Sequence, residues 1–355
     1  MTPARWRRWL IPVVAVVLPL AALEGALRLA LPFLPSGSRE YFEQDFRDAR
    51  HVQDPELFWR LRPGLKTQAC DAGVVYPWEV NEQGFREPRR VVPRKASGVR
   101  RVLCLGDSVT FGWLIEQRQA YPAVLQELLA ARVGPVEVIN AGVPGYSSYQ
   151  MRRYLERDLL AFEPDAIVTY AGINDGGPAL MSDRARAPLV RIELALGRFA
   201  LLRWLRWLVR EGALALSGGS SPPVATSVRR NAREDFLDNL SAMAGLCDRR
   251  GILLAIVTPV VLVEGELAKA LPPPTREEDG ERLEAAYGAL LARYLAPDVV
   301  GVMRAHQAEV RELQVLPEDG CHWNPAGHRL VAAEVARVLA PALAGREPTP
   351  REPAR

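Results

Sequence analysis

The feature that most constrains the fold is an alternation of short apolar runs with amphipathic segments, which begins at Arg101. The pattern predicts helices near residues 120–131, 148–162, 231–247 and 281–295. It predicts strands at residues 102–105, 136–139, 166–170, 252–257 and 299–303. Strands that alternate with helices form a parallel sheet with helices on both faces. The sequence therefore predicts an α/β fold with a parallel five-stranded sheet.

Short polar motifs follow the first, second, third and fifth of these predicted strands. They are Gly106-Asp107-Ser108, Asn140-Ala141-Gly142, Gly172-Ile173-Asn174-Asp175 and Asp319-Gly320-Cys321-His322. Open parallel sheets bind ligands at the carboxyl ends of their strands, which lie along one edge. We therefore expect the four motifs to meet at that edge, although they are far apart in the chain.

The residue types in these motifs suit nucleophilic catalysis. A serine such as Ser108 becomes a nucleophile when a base removes its proton. His322 is the predicted base, and Asp319 is placed to hold the imidazole in the required tautomer. Asn324 is predicted to cap the next helix, with Pro325 at its first position, and so to fix the His322 loop.

A reaction at an ester carbonyl also needs donors for the negative oxygen that develops. The predicted donors are the Ser108 N–H, the Gly142 N–H and the side-chain amide of Asn174. A glycine at position 142 would let a substrate approach the backbone closely. Taken alone, each motif has an ordinary structural explanation as a cap, a turn or a loop; only the ordered set points to catalysis.

The order and content of the motifs resemble the SGNH (GDSL-like) hydrolase superfamily. Ser108, Gly142, Asn174 and His322 match the four residues of its name, and Asp319 matches its Asp-x-x-His pair. The resemblance covers about residues 100–342, with Val109 where the family has Leu, and residues 81–86 and 138–147 look like a bacterial membrane-associated branch. It implies a flavodoxin-like three-layer fold and ester chemistry on lipids, acylated sugars or small esters.

Composition excludes several other functions. Lys and Arg number 45 against 42 acidic residues, so no excess of basic charge supports nucleic-acid binding. The four cysteines have no C-x-x-C spacing, so no metal site is predicted, and their disulfide pairing is left open. No glycine-rich phosphate loop follows a strand, and no cofactor is predicted.

The N-terminus has the pattern of a membrane anchor. Arg5, Arg7 and Arg8 precede an uncharged run over residues 9–23, and the apolar character resumes after Glu24 and Arg28. Either charge at mid-bilayer would cost on the order of 3 kcal/mol, but the two can pair across one helical turn. The pattern predicts a transmembrane helix in the bacterial cytoplasmic membrane, with the rest of the chain exported. A cleaved signal peptide and a buried core helix are the alternatives.

We divide the chain into an anchor (1–35), a stalk with a small irregular layer (36–100), a hydrolase domain (101–343) and a disordered tail (344–355). The hydrolase domain has an insertion at about 177–226. A helix over 189–210 carries arginines within about 140° of arc and apolar residues elsewhere. It is explained either as a helix packed on the domain or as a membrane-surface helix.

The sequence thus predicts a serine esterase that binds an ester substrate and the membrane, and does not bind nucleic acid. Two alternatives remain open. One is an O-acyltransferase that uses the same acyl-serine intermediate on a cell-envelope polysaccharide. The other is a non-catalytic carbohydrate-binding module on the same scaffold.

Overall fold

A computed structural model describes residues 3–30, 50–197, 199–205, 208, 228–263, 266–306, 309–316 and 319–346. The helices are α1 (Pro3–Ala30), α2 (Ser108–Phe111), α3 (Tyr121–Val133), α4 (Ser148–Arg157), α5 (Asp183–Arg186), α6 (Val190–Leu196), α7 (Arg233–Arg250), α8 (Gly280–Arg293), α9 (Val299–Ala305) and α10 (Pro325–Ala344). The strands are β1 (His51–Asp54), β2 (Phe58–Leu61), β3 (Lys66–Asp71), β4 (Val74–Glu79), β5 (Arg100–Gly106), β6 (Val136–Gly142), β7 (Ala166–Tyr170), β8 (Leu253–Val257), β9 (Val260–Val263) and β10 (Glu266–Lys269).

The central sheet is parallel, with the strand order β6-β5-β7-β8. Residues 102–105 of β5 and all of β7 are buried on both faces, which explains why these strands appear in the sequence as unbroken apolar runs. Helices α3, α9 and α10 cover one face, and α4, α7 and α8 cover the other. The α/β class and the three layers predicted from the sequence are confirmed.

The prediction of a fifth strand at 299–303 is wrong, because this run forms helix α9, and the described residues give a four-stranded central sheet. The Asp298 side chain caps the helix by accepting the Gly301 N–H at 2.8 Å. Val299, Val300 and Met303 are buried, a spacing that places them on one helical face. A short apolar run fits either a strand or one turn of a buried helix, and here the aspartate cap favours the helix.

Residues 51–91 form two antiparallel hairpins, β1-β2 and β3-β4, followed by a turn and an extended segment. Leu57, Tyr76, Trp78 and Phe85 are buried and join the core on the α4 side of the sheet. This layer is therefore packed onto the hydrolase domain.

Helix α1 contains the stretch Pro12–Ala30, which among the described residues is the one long and apolar enough to cross a membrane. Its length and composition also suit a signal sequence. Arg28 Nε lies 2.6 Å from Glu24 Oε1, so the expected pairing of these charges is confirmed.

The insertion does not contain the single helix expected over 189–210. Helix α6 ends at Leu196 with Gly197 at its C-terminus, and a second helical run begins at residue 200. Arg206, Trp207 and Arg210 of the expected helix lie outside the described residues. So do residues 31–49 of the predicted anchor and stalk, 209–227 of the insertion and 347–355 of the predicted tail.

Candidate active site

A continuous chain of hydrogen bonds joins Ser108, His322 and Asp319. His322 Nε2 lies 2.7 Å from Ser108 Oγ, and His322 Nδ1 lies 2.7 and 2.8 Å from the two oxygens of Asp319. The structure thus brings together the three residues that the sequence predicts as nucleophile, base and orienting carboxylate. With a proton on Nδ1, the lone pair of Nε2 faces the serine hydroxyl, as a general base requires.

The Asp319 carboxyl is held in its charged form. Burial raises its pKa, but the hydrogen bonds and charge of His322 and the hydrogen bonds of Cys321 outweigh this effect and lower the pKa to about 2. Cys321 Sγ lies 3.2 Å from Asp319 Oδ1, and all four cysteines are free thiols. Burial and the charge of Asp319 raise the pKa of Cys321, which leaves it a neutral neighbour of the carboxylate.

The loop that carries His322 is fixed from both sides. The Val315 N–H donates to the His322 carbonyl at 3.0 Å, and the Leu262 N–H in β9 donates to the Gly320 carbonyl at 2.7 Å. Asn324 Oδ1 accepts the N–H groups of Ala326 and Gly327 at the start of α10, which confirms the predicted cap. The loop therefore reaches Ser108 without following a strand, contrary to the expectation from the sequence.

Ser108 begins helix α2 directly after β5, and Asp107 caps this helix. Asp107 Oδ1 accepts the Val109 N–H at 2.9 Å, and Asp107 Oδ2 accepts from Asn174 Nδ2 at 3.2 Å. Asn174 Nδ2 also donates to the Tyr146 carbonyl at 3.1 Å. Burial raises the pKa of Asp107 to about 6. Asp107 thus ties the predicted oxyanion donor Asn174 to the turn that carries Ser108.

Residues 104–330 match the profile of the GDSL-like Lipase/Acylhydrolase family, and this match covers more than half of the chain. The chain belongs to this family. Membership confirms the family resemblance predicted from the sequence and supports an ester-hydrolysing function for this GDSL-like hydrolase.

Solved structures similar to this GDSL-like hydrolase include a lipase/acylhydrolase from Enterococcus faecalis, with 19% identity and a TM-score of 0.44 over 71% of this chain and 100% of that chain. TesA has 20% identity and a TM-score of 0.43 over 68% of this chain and 99% of that chain. A mutant of Axe2, an acetyl-xylooligosaccharide esterase from Geobacillus Stearmophilus, has 18% identity and a TM-score of 0.42 over 72% of this chain and 99% of that chain. No curated protein matches the chain.

Gly142 is placed differently from the other predicted site residues of this GDSL-like hydrolase. Its N–H donates to Asn140 Oδ1 at 3.0 Å, so it is already engaged. A Cβ at this position would overlap the backbone of Thr110 and Phe111 in α2. The glycine therefore allows β6 to pack closely against helix α2, and its predicted oxyanion role would require the bond to Asn140 to break.

Gly145 offers a second backbone donor, which sequence reasoning did not select. It adopts φ +80°, and its N–H makes no hydrogen bond within the described part of the chain. The next residue, Tyr146, accepts from Asn174 through its carbonyl, so this turn lies beside the predicted oxyanion donor. The signal available in the sequence was the second glycine of the run Ala141-Gly142-Val143-Pro144-Gly145.

Residues 51–91, which we call the N-terminal layer, also contribute to this site, and Asp71 of this layer belongs to no sequence motif. Trp113 packs against His322 with ring centroids 4.6 Å apart, and its Nε1–H donates to Asp71 Oδ2 at 3.1 Å. Asp71 is at the end of β3 and is held by Arg50 at 2.5 Å and by the Tyr76 hydroxyl at 2.6 Å. The layer therefore supports one wall of the site.

A buried arginine of the same layer holds the C-terminal end of helix α2. Arg86 donates to the carbonyl oxygens of Phe111 and Gly112 and, at 2.6 Å, to that of Ile115. Burial lowers the pKa of its guanidinium to about 9. Arg86 belongs to the run 81–86 that carries part of the family resemblance, so the sequence did contain a signal for it.

A buried polar cluster lies behind Asn174. Asp175 accepts hydrogen bonds from the Ser148 hydroxyl at 2.5 Å and from Asn231 Nδ2 at 2.9 Å, and burial raises its pKa to about 6. A groove lined by Tyr149, Arg152 and Asp235 lies on the far side of this cluster and does not include Ser108 or His322. The groove is therefore not part of the candidate site at Ser108, His322 and Asp319.

Proposed function

We propose that this protein is a serine esterase in which Ser108 attacks an ester carbonyl and forms an acyl-serine intermediate. The observation that carries the proposal is the position of His322 between Ser108 Oγ, at 2.7 Å, and the Asp319 carboxylate. Family membership independently supports ester hydrolysis. A binding module would not need a nucleophile, a base and an orienting carboxylate in one hydrogen-bonded chain.

The reaction proceeds in two halves. In the first, His322 Nε2 takes the Ser108 proton while Oγ bonds to the carbonyl carbon; the tetrahedral intermediate then collapses, and the alcohol leaves with the proton from His322. In the second, His322 takes a proton from water, the resulting oxygen attacks the acyl-serine, and the acid is released as Ser108 regains its proton. Asp319 remains ionised and stabilises the imidazolium.

The oxyanion needs donors that are in place before the reaction. We propose the Ser108 N–H, the Asn174 amide and a backbone N–H of the 142–145 turn, where Gly142 is the donor predicted from the sequence and Gly145 is the alternative. The Ser108 and Gly145 amides make no hydrogen bond within the described residues, which favours Gly145. Asn174 would exchange one of its contacts, at 3.1 and 3.2 Å, for the oxyanion. A crystal structure with phosphonylated Ser108 would identify the amide within hydrogen-bond distance of the phosphonyl oxygen.

We place the enzyme in the bacterial cytoplasmic membrane, with the hydrolase domain on the exported side. The support is the apolar stretch Pro12–Ala30 together with the arginines that precede it in the sequence.

The acceptor of the acyl group distinguishes two outcomes of one mechanism. Water makes the enzyme an esterase, and a sugar hydroxyl makes it an O-acyltransferase.

The test uses the full chain in detergent micelles with acetyl and longer-chain nitrophenyl esters. Ser108→Ala should reduce turnover at least a thousandfold, and the exposed Ser241→Ala should behave as wild type. A fluorophosphonate should label wild type at Ser108 with one equivalent. Equal turnover of both variants would refute the proposal. An enzyme that is labelled at Ser108 but transfers the acyl group to an added sugar in preference to water would be a transferase.

A further inference from the structure

The N-terminal helix and the insertion are joined by a specific contact, although they are far apart in the chain. The Glu24 carboxylate accepts the backbone N–H groups of Ala200 and Leu201 at 2.7 and 2.9 Å. These amides belong to the first turn of the helical run 200–205 and have no partner within that turn. Glu24 therefore caps a helix of the insertion. The Glu24 carboxylate also pairs with Arg28 of α1.

This contact explains a carboxylate in an otherwise apolar segment. A charged group is tolerated at membrane depth when it is paired and hydrogen-bonded by other protein groups. Arg8 and Glu24 are separated by about 24 Å along a helix, against a hydrocarbon core of about 30 Å. With the arginines at the inner surface, Glu24 lies near the outer boundary of the hydrocarbon, and the insertion meets the anchor there.

The insertion presents apolar side chains to its surroundings. Val190 and Ala200 face inward and are buried. Large apolar side chains with about half of their surface exposed lie on its helices and on the residue before the second one: Ile192 (56%), Leu196 (47%), Phe199 (51%), Leu205 (55%) and Leu208 (55%). Apolar side chains clustered in this way on one segment mark an interaction surface. Helix α1, which also has an apolar surface, contacts the insertion through Glu24. The lipid around such a helix would also cover the apolar side chains of the insertion.

The other end of the insertion is fixed to the active site. Arg230 pairs with Asp183 at 2.9 Å and donates to the Gly145 carbonyl at 2.6 Å, in the turn proposed to supply an oxyanion donor. Asn231 binds Asp175, the residue after Asn174. One segment thus connects the anchor to the loops around Ser108.

We propose that the described residues between 180 and 208 (180–197, 199–205 and 208), which we call the membrane-facing segment, lie on the outer surface of the bilayer, docked to the anchor through Glu24. The segment holds the active-site mouth at the membrane surface. Its apolar side chains enter the lipid, as those of interfacial helices do. If the proposed esterase function holds, the substrate is an ester presented at that surface.

The test measures the depth of single labels in lipid. Full-length protein carrying Ser108→Ala and Cys70→Ser, which removes the exposed thiol, receives one cysteine at Ile192 or Leu196. Matched controls carry the cysteine at Val75, an exposed valine of the N-terminal layer, or at Val92, an exposed valine directly after it. Each is labelled with an environment-sensitive fluorophore and reconstituted in phosphatidylcholine–phosphatidylglycerol vesicles that contain acyl-chain spin-labelled lipid. The parent without an added cysteine gives the background.

We expect the labels at 192 and 196 to be quenched at least threefold more than those at 75 and 92. Equal quenching at all four positions would overturn the proposal. Glu24→Leu should reduce the quenching at 192 and 196 to the control level, with the protein still in the membrane after a high-salt wash. The matched variant Glu193→Gln, on the insertion itself, should not. Unchanged quenching in Glu24→Leu would show that Glu24 does not dock the segment to the anchor. Because no readout requires turnover, failure here is distinct from failure of the esterase proposal.

Discussion

The indole of Trp113 lies against the imidazole of His322, with ring centroids 4.6 Å apart. Trp113 is itself oriented by a residue of the N-terminal layer, since its Nε1–H donates to Asp71 Oδ2 at 3.1 Å. The contact restricts rotation of the imidazole away from Ser108, because the indole that packs against it is itself held in place. The N-terminal layer is therefore part of the machinery that positions the proposed base.

Removing Asp71 should weaken catalysis without removing a catalytic group. We expect Asp71→Ala to lower kcat about five- to tenfold with little change in KM, as follows from losing one hydrogen bond worth about 1 kcal/mol. Trp113→Ala should lower kcat further, because the ring contact itself is lost. Lys66→Ala, on the same strand and exposed, is the control for general damage to β3. Wild-type kcat in both Asp71→Ala and Trp113→Ala would show that the contact has no positioning role.

Asn174 is expected to act on the transition state. Asn174→Ala should lower kcat by about 10²–10³ with KM changed much less, which is the effect of losing one oxyanion donor. Steady-state kinetics on a short-chain ester measure both constants. An effect confined to KM would assign Asn174 to ground-state binding of the substrate instead.

Asp319 is expected to orient the base and not to titrate during catalysis. Its pKa of about 2 keeps it ionised well below neutral pH, so we expect no loss of activity from its protonation at mildly acidic pH. Asp319→Asn should reduce kcat strongly by favouring the wrong imidazole tautomer, and His322→Ala should reduce it at least as much. Kinetics from about pH 5 to about pH 9 test this. An Asp319→Asn enzyme as fast as wild type across that range would refute the role.

The topology can be measured independently of activity. A reporter fused after Arg355 should be active on the exported side alone, because the basic residues at the N-terminus favour retention of that end in the cytoplasm. The protein should stay with membranes after a high-salt wash. Detection of a mature form that begins near Glu24 would show that the segment is a cleaved signal peptide. A reporter that is active in the cytoplasm would show the opposite orientation.

The central strands could be predicted because a strand buried on both faces must be apolar throughout, as β5 and β7 are. The motifs after them could be predicted to meet because parallel strands end at one edge. Residues 299–303 could not be assigned in this way. Their apolar pattern is too short to distinguish the two periodicities, and the deciding interaction is the cap by Asp298.

The contribution of Asp71 in the N-terminal layer could not be predicted, for a different reason. Asp71 and Trp113 belong to no motif, and their effect on His322 depends on a tertiary contact between distant segments. The Gly142 assignment illustrates a related limit. A sequence marks where a glycine is required, but the reason, here close packing against Thr110 and Phe111, depends on the neighbouring backbone.

A last prediction concerns stability and the buried carboxyl of Glu87. Its Oε1 accepts the Asn140 N–H at 2.8 Å, at the end of β6 that leads to Gly142. Burial raises its pKa from 4.5 to about 7, against the smaller opposing effects of the Asn140 N–H and Arg89. The folded state therefore binds this proton more tightly than the unfolded state, so stability is highest below the unfolded pKa and falls as the pH rises through about 7.

Glu87→Gln keeps an oxygen for the Asn140 N–H and removes the ionisation. We expect the variant to exceed wild type in free energy of unfolding by up to about 3 kcal/mol at about pH 8, and to show no such gain near pH 4.5. Thermal unfolding of the two proteins in detergent, compared at several pH values, gives this difference directly. A difference that stays constant with pH would mean that Glu87 does not titrate in this range. A variant less stable than wild type at about pH 8 would mean that the charge is stabilised by Arg89, 3.8 Å away, more than burial opposes it.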